Sequence, residues 1–336
     1  MRPPLLTHTP EELTVRLKGP GRARLIFKLL SKGLDPFTSD DLSTGARERL
    51  KEACTPTPFK ILSRSVATDK TTKLLLEMSD GAGVETVVIP SSDRTTLCVS
   101  SQVGCARGCD FCLTATMGLK RNLGCDEILV QVLAGIAHAR ESGFPEVRNI
   151  VYMGMGEPLD NLKEVERSLL ILCDDRGFGF GARHITVSTV GTHRAAIEQA
   201  ATWPARLAWS LHAAVDSVRK DLIATAKADP IEIRDWFLSS IGRDPLFVEC
   251  VLIDGVNDRD QDLAMCVELF AGLDQEIRIN LLPLNLIGRP DLRPSPMARV
   301  LEFRNALRVA GHVCIIRRPR GQEENAACGQ LAVIQD

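Results

Sequence analysis

From about residue 10 to 54, apolar side chains recur at three- and four-residue steps, as at Leu25, Ile26, Leu29 and Leu30, with breaks at Gly19-Pro20 and Gly33. That period is helical, so residues 1–57 are expected to form a small helical domain. Over 58–90 the pattern shortens and alternates. Two apolar runs, 73–77 and 84–89, flank Ser79-Asp80-Gly81. Alternation interrupted by such a turn predicts a β-hairpin, here an extension covering 58–93.

Beyond residue 93 strand-like and helix-like stretches alternate. Strands are expected at 95–100, 149–154, 184–189, 206–211, 246–253, 277–282 and 312–317, with helices at 126–141, 161–174, 194–201, 231–240, 262–273 and 296–309. This order calls for a parallel sheet with right-handed crossovers. Six or so units are too few for a closed eight-fold barrel, so the expected fold is α/β, a partial (β/α)6 barrel over 94–320. A tail follows at 321–336. Chemistry in such a barrel belongs at the carboxyl ends of the strands.

Composition is that of a globular chain, 44% hydrophobic and 25% charged, and 336 residues suggest roughly two domains or one barrel with an appendage. No apolar run reaches 18 residues and the opening has no signal-peptide core, so a cytoplasmic protein is expected, with no membrane partner. Eleven cysteines without a secretory context read as reduced thiols that ligate metal or react. The net charge of −2 gives no global sign of nucleic-acid binding. Two stretches are nevertheless basic: 287–320, with Arg289, Arg293, Arg299, Arg304, Arg308, Arg317, Arg318 and Arg320, and the first 35 residues. If they meet in space they form a phosphate-neutralising surface; solvated helix faces would look the same.

The densest chemistry is Cys105-Ala-Arg-Gly-Cys109-Asp-Phe-Cys112, directly after the first expected barrel strand. It supplies three thiolates, whereas structural zinc and ordinary electron-transfer clusters usually take four protein ligands. The spacing resembles that of radical-SAM enzymes, whose 4Fe-4S cluster keeps one iron open for S-adenosylmethionine (SAM). A zinc loop completed by a distant residue stays open on spacing alone. At the end of the second strand stands Met153-Gly154-Met155-Gly156-Glu157-Pro158-Leu159, a Gly-rich turn ending in an acid that suits a ligand ammonium. Ser188, Ser210, His212 and Asn285 fall at later strand ends, where polar groups converge on one pocket. Cys328 lies among small residues near the C-terminus. Cys125, Cys173, Cys266 and Cys314 sit on apolar patterns and read as core thiols.

Taken together, the segments 96–105, 154–159, 210–212, 254–258 and 326–331, with the three-cysteine loop and Arg121-Asn122-Leu123, resemble the RlmN/Cfr family of radical-SAM RNA adenine methyltransferases, closer to the RlmN branch. The resemblance runs from about residue 85 to 331, and the helical N-terminus looks like the family's accessory domain. It implies methylation of adenine carbon 2 in 23S rRNA or tRNA, with two SAM per turnover and a flavodoxin or ferredoxin as electron donor to a monomeric enzyme. By motif matching, Cys105, Cys109 and Cys112 ligate the 4Fe-4S cluster. Gly156, Glu157, Ser188, Ser210, Leu211, His212 and Asn285 line the SAM site. Cys328 becomes the methyl-carrying residue, Cys98 the thiol that forms a disulfide with it, and Glu85 the proton acceptor.

Three departures touch parts expected to face RNA. The stretch 219–226 lacks the family's Pro-x-Asn element, Glu324-Asn325 replaces an acidic-isoleucine pair, and the chain ends eight residues past Cys328. Methylation at carbon 8, a non-RNA heteroaromatic substrate, or an iron-sulfur or zinc RNA-associated redox factor are the competing expectations.

Overall fold

The structure, a computed structural model, describes residues 2–333. Residue 1 of the expected helical domain and residues 334–336 of the expected tail lie outside the described residues. The N-terminal segment forms α1 (Pro10–Arg16), α2 (Pro20–Leu30) and α3 (Thr44–Ala53). Thr9 and Glu12 start α1 with a capping box: each side chain accepts the other's backbone N–H, at 3.3 and 2.9 Å. Pro20 opens α2, where its missing N–H costs nothing.

The expected hairpin is present with a third strand, giving the meander β1 (Phe59–Val66), β2 (Thr72–Met78) and β3 (Gly83–Pro90). Alternate residues of β2 are buried, as its sequence pattern requires. β3 then pairs antiparallel with β4 (Thr95–Cys98), Val87 opposite Cys98, so the meander continues the barrel sheet.

After β4 come β5 (Gln102–Gly104), α4 (Leu113–Thr116), β6 (Leu119–Asn122) and α5 (Cys125–Glu141), then β7 (Val147–Tyr152), α6 (Leu162–Cys173) and β8 (Ile185–Thr189). The chain proceeds through α7 (Arg194–Ala200), β9 (Arg206–Ser210), α8 (Asp216–Leu222), α9 (Pro230–Ser240) and β10 (Leu246–Leu252). It finishes with α10 (Asp260–Leu269), β11 (Ile277–Pro283), α11 (Met297–Val309) and β12 (Val313–Ile316).

One ten-stranded sheet has the order β1-β2-β3-β4-β7-β8-β9-β10-β11-β12, and all neighbours from β4 onward are parallel. The expected partial barrel is therefore the architecture. Its strands carry buried apolar residues such as Ile150, Val187, Ala208, Val248 and Ile279, as a sheet covered by helices requires. β5 and β6 form a separate two-stranded ribbon. The N-terminal helices are tied to α5 and α6: Arg167 Nη2 donates to the Thr7 carbonyl (2.7 Å) and Arg140 Nη1 to the Lys32 carbonyl (3.0 Å).

Candidate active site

The three-cysteine loop leaves the β5–β6 ribbon at Gly104, whose φ of +76° and whose contact with the Gly118 carbonyl exclude a side chain. Cys105 N–H donates to that carbonyl (3.1 Å), and Cys112 N–H to the Cys109 carbonyl (3.1 Å). Farther along, Asp110 N–H donates to the Leu222 carbonyl (3.0 Å), and Leu113 N–H to the Gly329 carbonyl (2.7 Å). The last bond joins the loop to the C-terminal tail. Arg107 Nε donates to Asp160 (2.8 Å), closing the other side.

Cys105, Cys109 and Cys112 face one open cleft at the carboxyl ends of the strands, with about 990 Å³ of empty space. Of the residues expected to hold SAM, Gly156, Glu157, Ser188, Ser210, His212 and Asn285 line it; Leu211 does not. Leu211 is fully buried, and its backbone serves the strand end instead, its N–H donating to the Glu249 carbonyl (3.0 Å). Gly156 has φ +98°, and a Cβ there would come within 2.6 Å of Gln102 Cβ. That close approach lets Gln102 Oε1 accept the Glu157 N–H (2.9 Å).

Glu157 is buried, its two carboxyl oxygens accepting the N–H groups of Leu159 (3.1 Å) and Val190 (3.0 Å). Burial outweighs these bonds and pushes its carboxyl up to about 7. A cation entering the cleft would find a group that gains by ionising. Ser188 Oγ and Ser210 Oγ are hydrogen-bonded at 2.9 Å. His212 has φ +61°, and its Nδ1 accepts the Val251 N–H (3.2 Å). Burial, aided by Arg219, pushes this imidazole down to about 3, so the ring stays neutral and its free N–H is on Nε2.

Cys328 lies where that cleft meets a second cavity of about 730 Å³, and it lines both. Cys98 lines the second, with Arg317, Arg318 and Arg320. All eleven cysteines are free thiols, so the Cys98–Cys328 disulfide implied by the resemblance is not formed in this structure. Asn285 Nδ2 holds the Cys328 carbonyl (2.9 Å), while its Oδ1 accepts from Gln322 (2.7 Å). Loss of hydration between the cleft walls pushes the Cys328 thiol up, and Arg317 opposes the rise. Arg317 itself stands 3.6 Å from the buried Glu249. Nothing in the sequence singles out Glu249, an acid in mid-strand, and Arg317 is one of eight arginines in its stretch.

Glu85 lines neither cavity. It is buried on β3, 2.9 Å from Lys73 Nζ on β2, with Oε2 free of side-chain partners. Burial raises its carboxyl, and Lys73 and the backbone of Ala332 oppose the rise. Arg24 and Lys28 line a groove beside α2 with Arg176, separate from the cavity of Arg317, Arg318 and Arg320.

Burial pushes the Cys105 thiol up to about 11, and Cys109 higher still, each worsened by its neighbouring thiolates. Three crowded thiols are costly as thiolates unless a cationic centre takes their charge. Among the described residues no three His, Cys, Asp or Glu side chains form a group suited to a single metal ion. The soft, three-thiol set fits a larger iron-sulfur cluster better than a zinc ion, and Gly154, Gly156 and Glu157 fit a bound amino acid beside it.

A parallel partial barrel with three cysteines on the loop after its first strand is the arrangement of a radical-SAM enzyme. Residues 99–266 match the radical SAM superfamily. The chain is 42% identical to a probable RNA methyltransferase of Sorangium cellulosum over 83% of its length and 71% of that protein's. It is 38% identical to the dual-specificity RNA methyltransferase RlmN of Syntrophobacter fumaroxidans, covering 92% of this chain and 91% of that one. A crystal structure of a radical SAM methyltransferase from Sphaerobacter thermophilus superposes with a TM-score of 0.89 at 37% identity, over 98% of both chains. The chain belongs to the RlmN/Cfr family of radical-SAM methyltransferases, on the RlmN side. With the family come a 4Fe-4S cluster and SAM.

Proposed function

We propose that this enzyme methylates carbon 2 of an adenine in RNA, through a methyl group carried on Cys328 and with two SAM consumed per turnover. The observation that carries this reading is the position of Cys328. It is exposed at the junction of the cleft lined by the three cysteines and the cavity lined by Cys98 and three arginines. A residue that takes a carbon from one ligand and delivers it to another has to face both.

An aromatic C–H carbon has no lone pair with which to attack a sulfonium methyl, so polar transfer straight to adenine fails. The cluster and SAM, when bound, supply both an electrophilic methyl group and, after one-electron reduction, hydrogen-atom abstraction. The chain's residues do the rest. Cys105, Cys109 and Cys112 ligate the cluster. Glu157, Gly156, Ser188, Ser210, His212 and Asn285 would hold SAM, with the Glu157 carboxylate the counter-charge available to its ammonium. The Cys328 thiolate, favoured by Arg317, takes the first methyl by displacement. The target base occupies the second cavity, where Arg318 offers charge to its phosphates, Arg317 and Arg320 being paired with Glu249 and Asp69. Once the methylene carbon has bonded to the ring and the adduct has given up its unpaired electron, for which the bound cluster would be the acceptor, Cys98 attacks the Cys328 sulfur: a disulfide forms as the C–S bond breaks, the bond's electron pair stays on the carbon, and a solvent proton completes the methyl group. Glu85 takes the ring proton in this scheme only after the tail over it has moved.

In the cell the reaction would run on rRNA or tRNA in the cytoplasm, on a monomer reduced by a flavodoxin or ferredoxin. Among the described residues no helix is long and apolar enough to cross a membrane. The test is anaerobic incubation of the reconstituted enzyme with total RNA, reductant and methyl-labelled SAM, followed by nucleoside mass spectrometry. Label in 2-methyladenosine is expected. Label at carbon 8, or none in RNA while SAM is still cleaved, would move the assignment to the competing substrates.

A further inference from the structure

The stretch 219–226, where the sequence departs from the family pattern, is the element against which the cysteine loop leans. Ile223 forms an antiparallel bridge with Cys109, and Asp110 N–H donates to the Leu222 carbonyl (3.0 Å). Thr225 Oγ1 donates to the Arg107 carbonyl (3.1 Å). One turn earlier, α8 buries Arg219, which is only 1% exposed. Its Nε donates to the Leu211 carbonyl (3.1 Å) and its Nη2 to the Val190 carbonyl (2.5 Å), two acceptors just past the ends of β9 and β8.

These bonds engage two of its nitrogens but leave the charge unmatched. Among the described residues no carboxylate forms a salt bridge with Arg219; the nearby Asp216 is engaged by Lys220 at 2.6 Å. A buried ion without a counter-ion costs several kcal/mol, so its persistence calls for a partner. A guanidinium keeps its charge at neutral pH, and the loop carrying Cys109 packs on the same turn: Ile223, bridged to Cys109, donates its N–H to the Arg219 carbonyl (2.9 Å).

We propose that Arg219 is the buried counter-charge of the iron-sulfur cluster, a positioning residue that acts through Cys109 and raises the cluster's reduction potential. The inference rests on the assignment of Cys105, Cys109 and Cys112 as the cluster's ligands. Reduction adds one negative charge to a centre already surrounded by thiolates. A fixed cation in a water-poor wall lowers the energy of the more negative state, and it does so most where the dielectric is low. The two strand-end carbonyls hold the guanidinium still. Because these strand ends also carry Glu157's partner Val190 and the SAM-facing Ser210, one side chain ties the cluster loop to the ligand cleft.

The test uses the full chain with its cluster reconstituted anaerobically, without SAM or RNA. Iron and sulfide are assayed first, then the cluster is titrated against a poised potential by electron paramagnetic resonance for wild type, Arg219→Met and Arg219→Lys. Arg219→Met is expected to lower the reduced-to-oxidised ratio at a fixed poise about tenfold, which is 59 mV for one electron. Arg219→Lys should recover most of that. A wild-type potential in Arg219→Met, or an equal shift in both variants, overturns the proposal, because shape rather than charge would then be at work. If Arg219→Met holds no cluster, Arg219→Gln replaces it under the same criterion. Cluster loss in both neutral variants with retention in Arg219→Lys upholds the role of charge; loss in Arg219→Lys as well overturns it. Absence of iron and sulfide from the wild type would instead defeat the ligand assignment.

Discussion

Glu157→Gln should reverse its effect on stability between acid and alkaline pH. Burial lifts the Glu157 carboxyl from 4.5 to about 7 in the folded, cofactor-free protein. A carboxyl raised on folding contributes stability that is fully present below the unfolded value and lost as pH rises through the folded one. The loss for this side chain amounts to about 3 kcal/mol, accrued mostly between pH 4.5 and 7. Glutamine cannot ionise and escapes it. Against that gain, Glu157 accepts two backbone N–H groups, from Leu159 and Val190. An amide has one acceptor oxygen, so one donor is left unpaired at a pH-independent cost of about 1–3 kcal/mol. The variant should therefore be less stable than wild type at pH 5 and equal or more stable at pH 8.5. Urea unfolding at both pH values measures the difference, and groups that titrate alike in the two proteins cancel. A stability difference that does not change between pH 5 and 8.5, or that grows less favourable to the variant as pH rises, would refute the reasoning. SAM should then stabilise wild type more than the variant at pH 8.5, since a ligand ammonium gives the carboxylate the partner it lacks.

Three other substitutions test separate parts of the site. Gly156→Ala forces a side chain into φ +98° and within 2.6 Å of Gln102 Cβ; a loss of about 2–5 kcal/mol in urea unfolding is expected, and an unchanged midpoint would contradict the close packing. Arg317→Met removes the cation that opposes the rise of the Cys328 thiol, so alkylation of Cys328 by iodoacetamide at pH 8, read by peptide mass spectrometry, should slow on the order of tenfold. An unchanged rate would show that the arginine does not act on the thiolate. Asn285→Ala deprives the Cys328 carbonyl of its donor and Gln322 of its acceptor, which should speed hydrogen exchange of residues 322–330, consistent with about 1–2 kcal/mol of lost local stability; unaltered exchange would mean that the tail is held elsewhere.

What could be read from the sequence was local. The cysteine spacing, the Gly-rich turn and the strand–helix alternation each lie within a short window, and the expected barrel strands recur within a few residues of β4 and β7 to β12. β1 escaped notice because most of it faces solvent and only Phe59, Ile61 and Ser65 are half-buried, which leaves no clean apolar alternation. α8 carries no apolar stripe, because its buried residues are Arg219 and Leu222 and the first is charged. Leu211 was placed in the SAM site by its neighbours, yet the strand ends at Ser210, and Leu211 turns into the core as the chain bends toward the positive φ of His212. Arg219 joins carbonyls past the ends of two strands, and Glu249 meets Arg317 from 68 positions away, so no single window contains these juxtapositions. Glu85 shows the converse: its motif context was legible, but its salt bridge with Lys73 and its place beneath the tail were not.

The most direct test of the proposed chemistry is a Cys98→Ala variant made in cells with its cluster intact and examined by mass spectrometry for nucleotide covalently bound to the Cys328 peptide. Without the thiol that releases the product, the carbon bridge between Cys328 and the base should persist. The account expects a Cys328 peptide carrying RNA whose attached nucleotide is an adenosine joined through carbon 2. A Cys328 peptide free of nucleotide, from protein that still cleaves SAM, would contradict it.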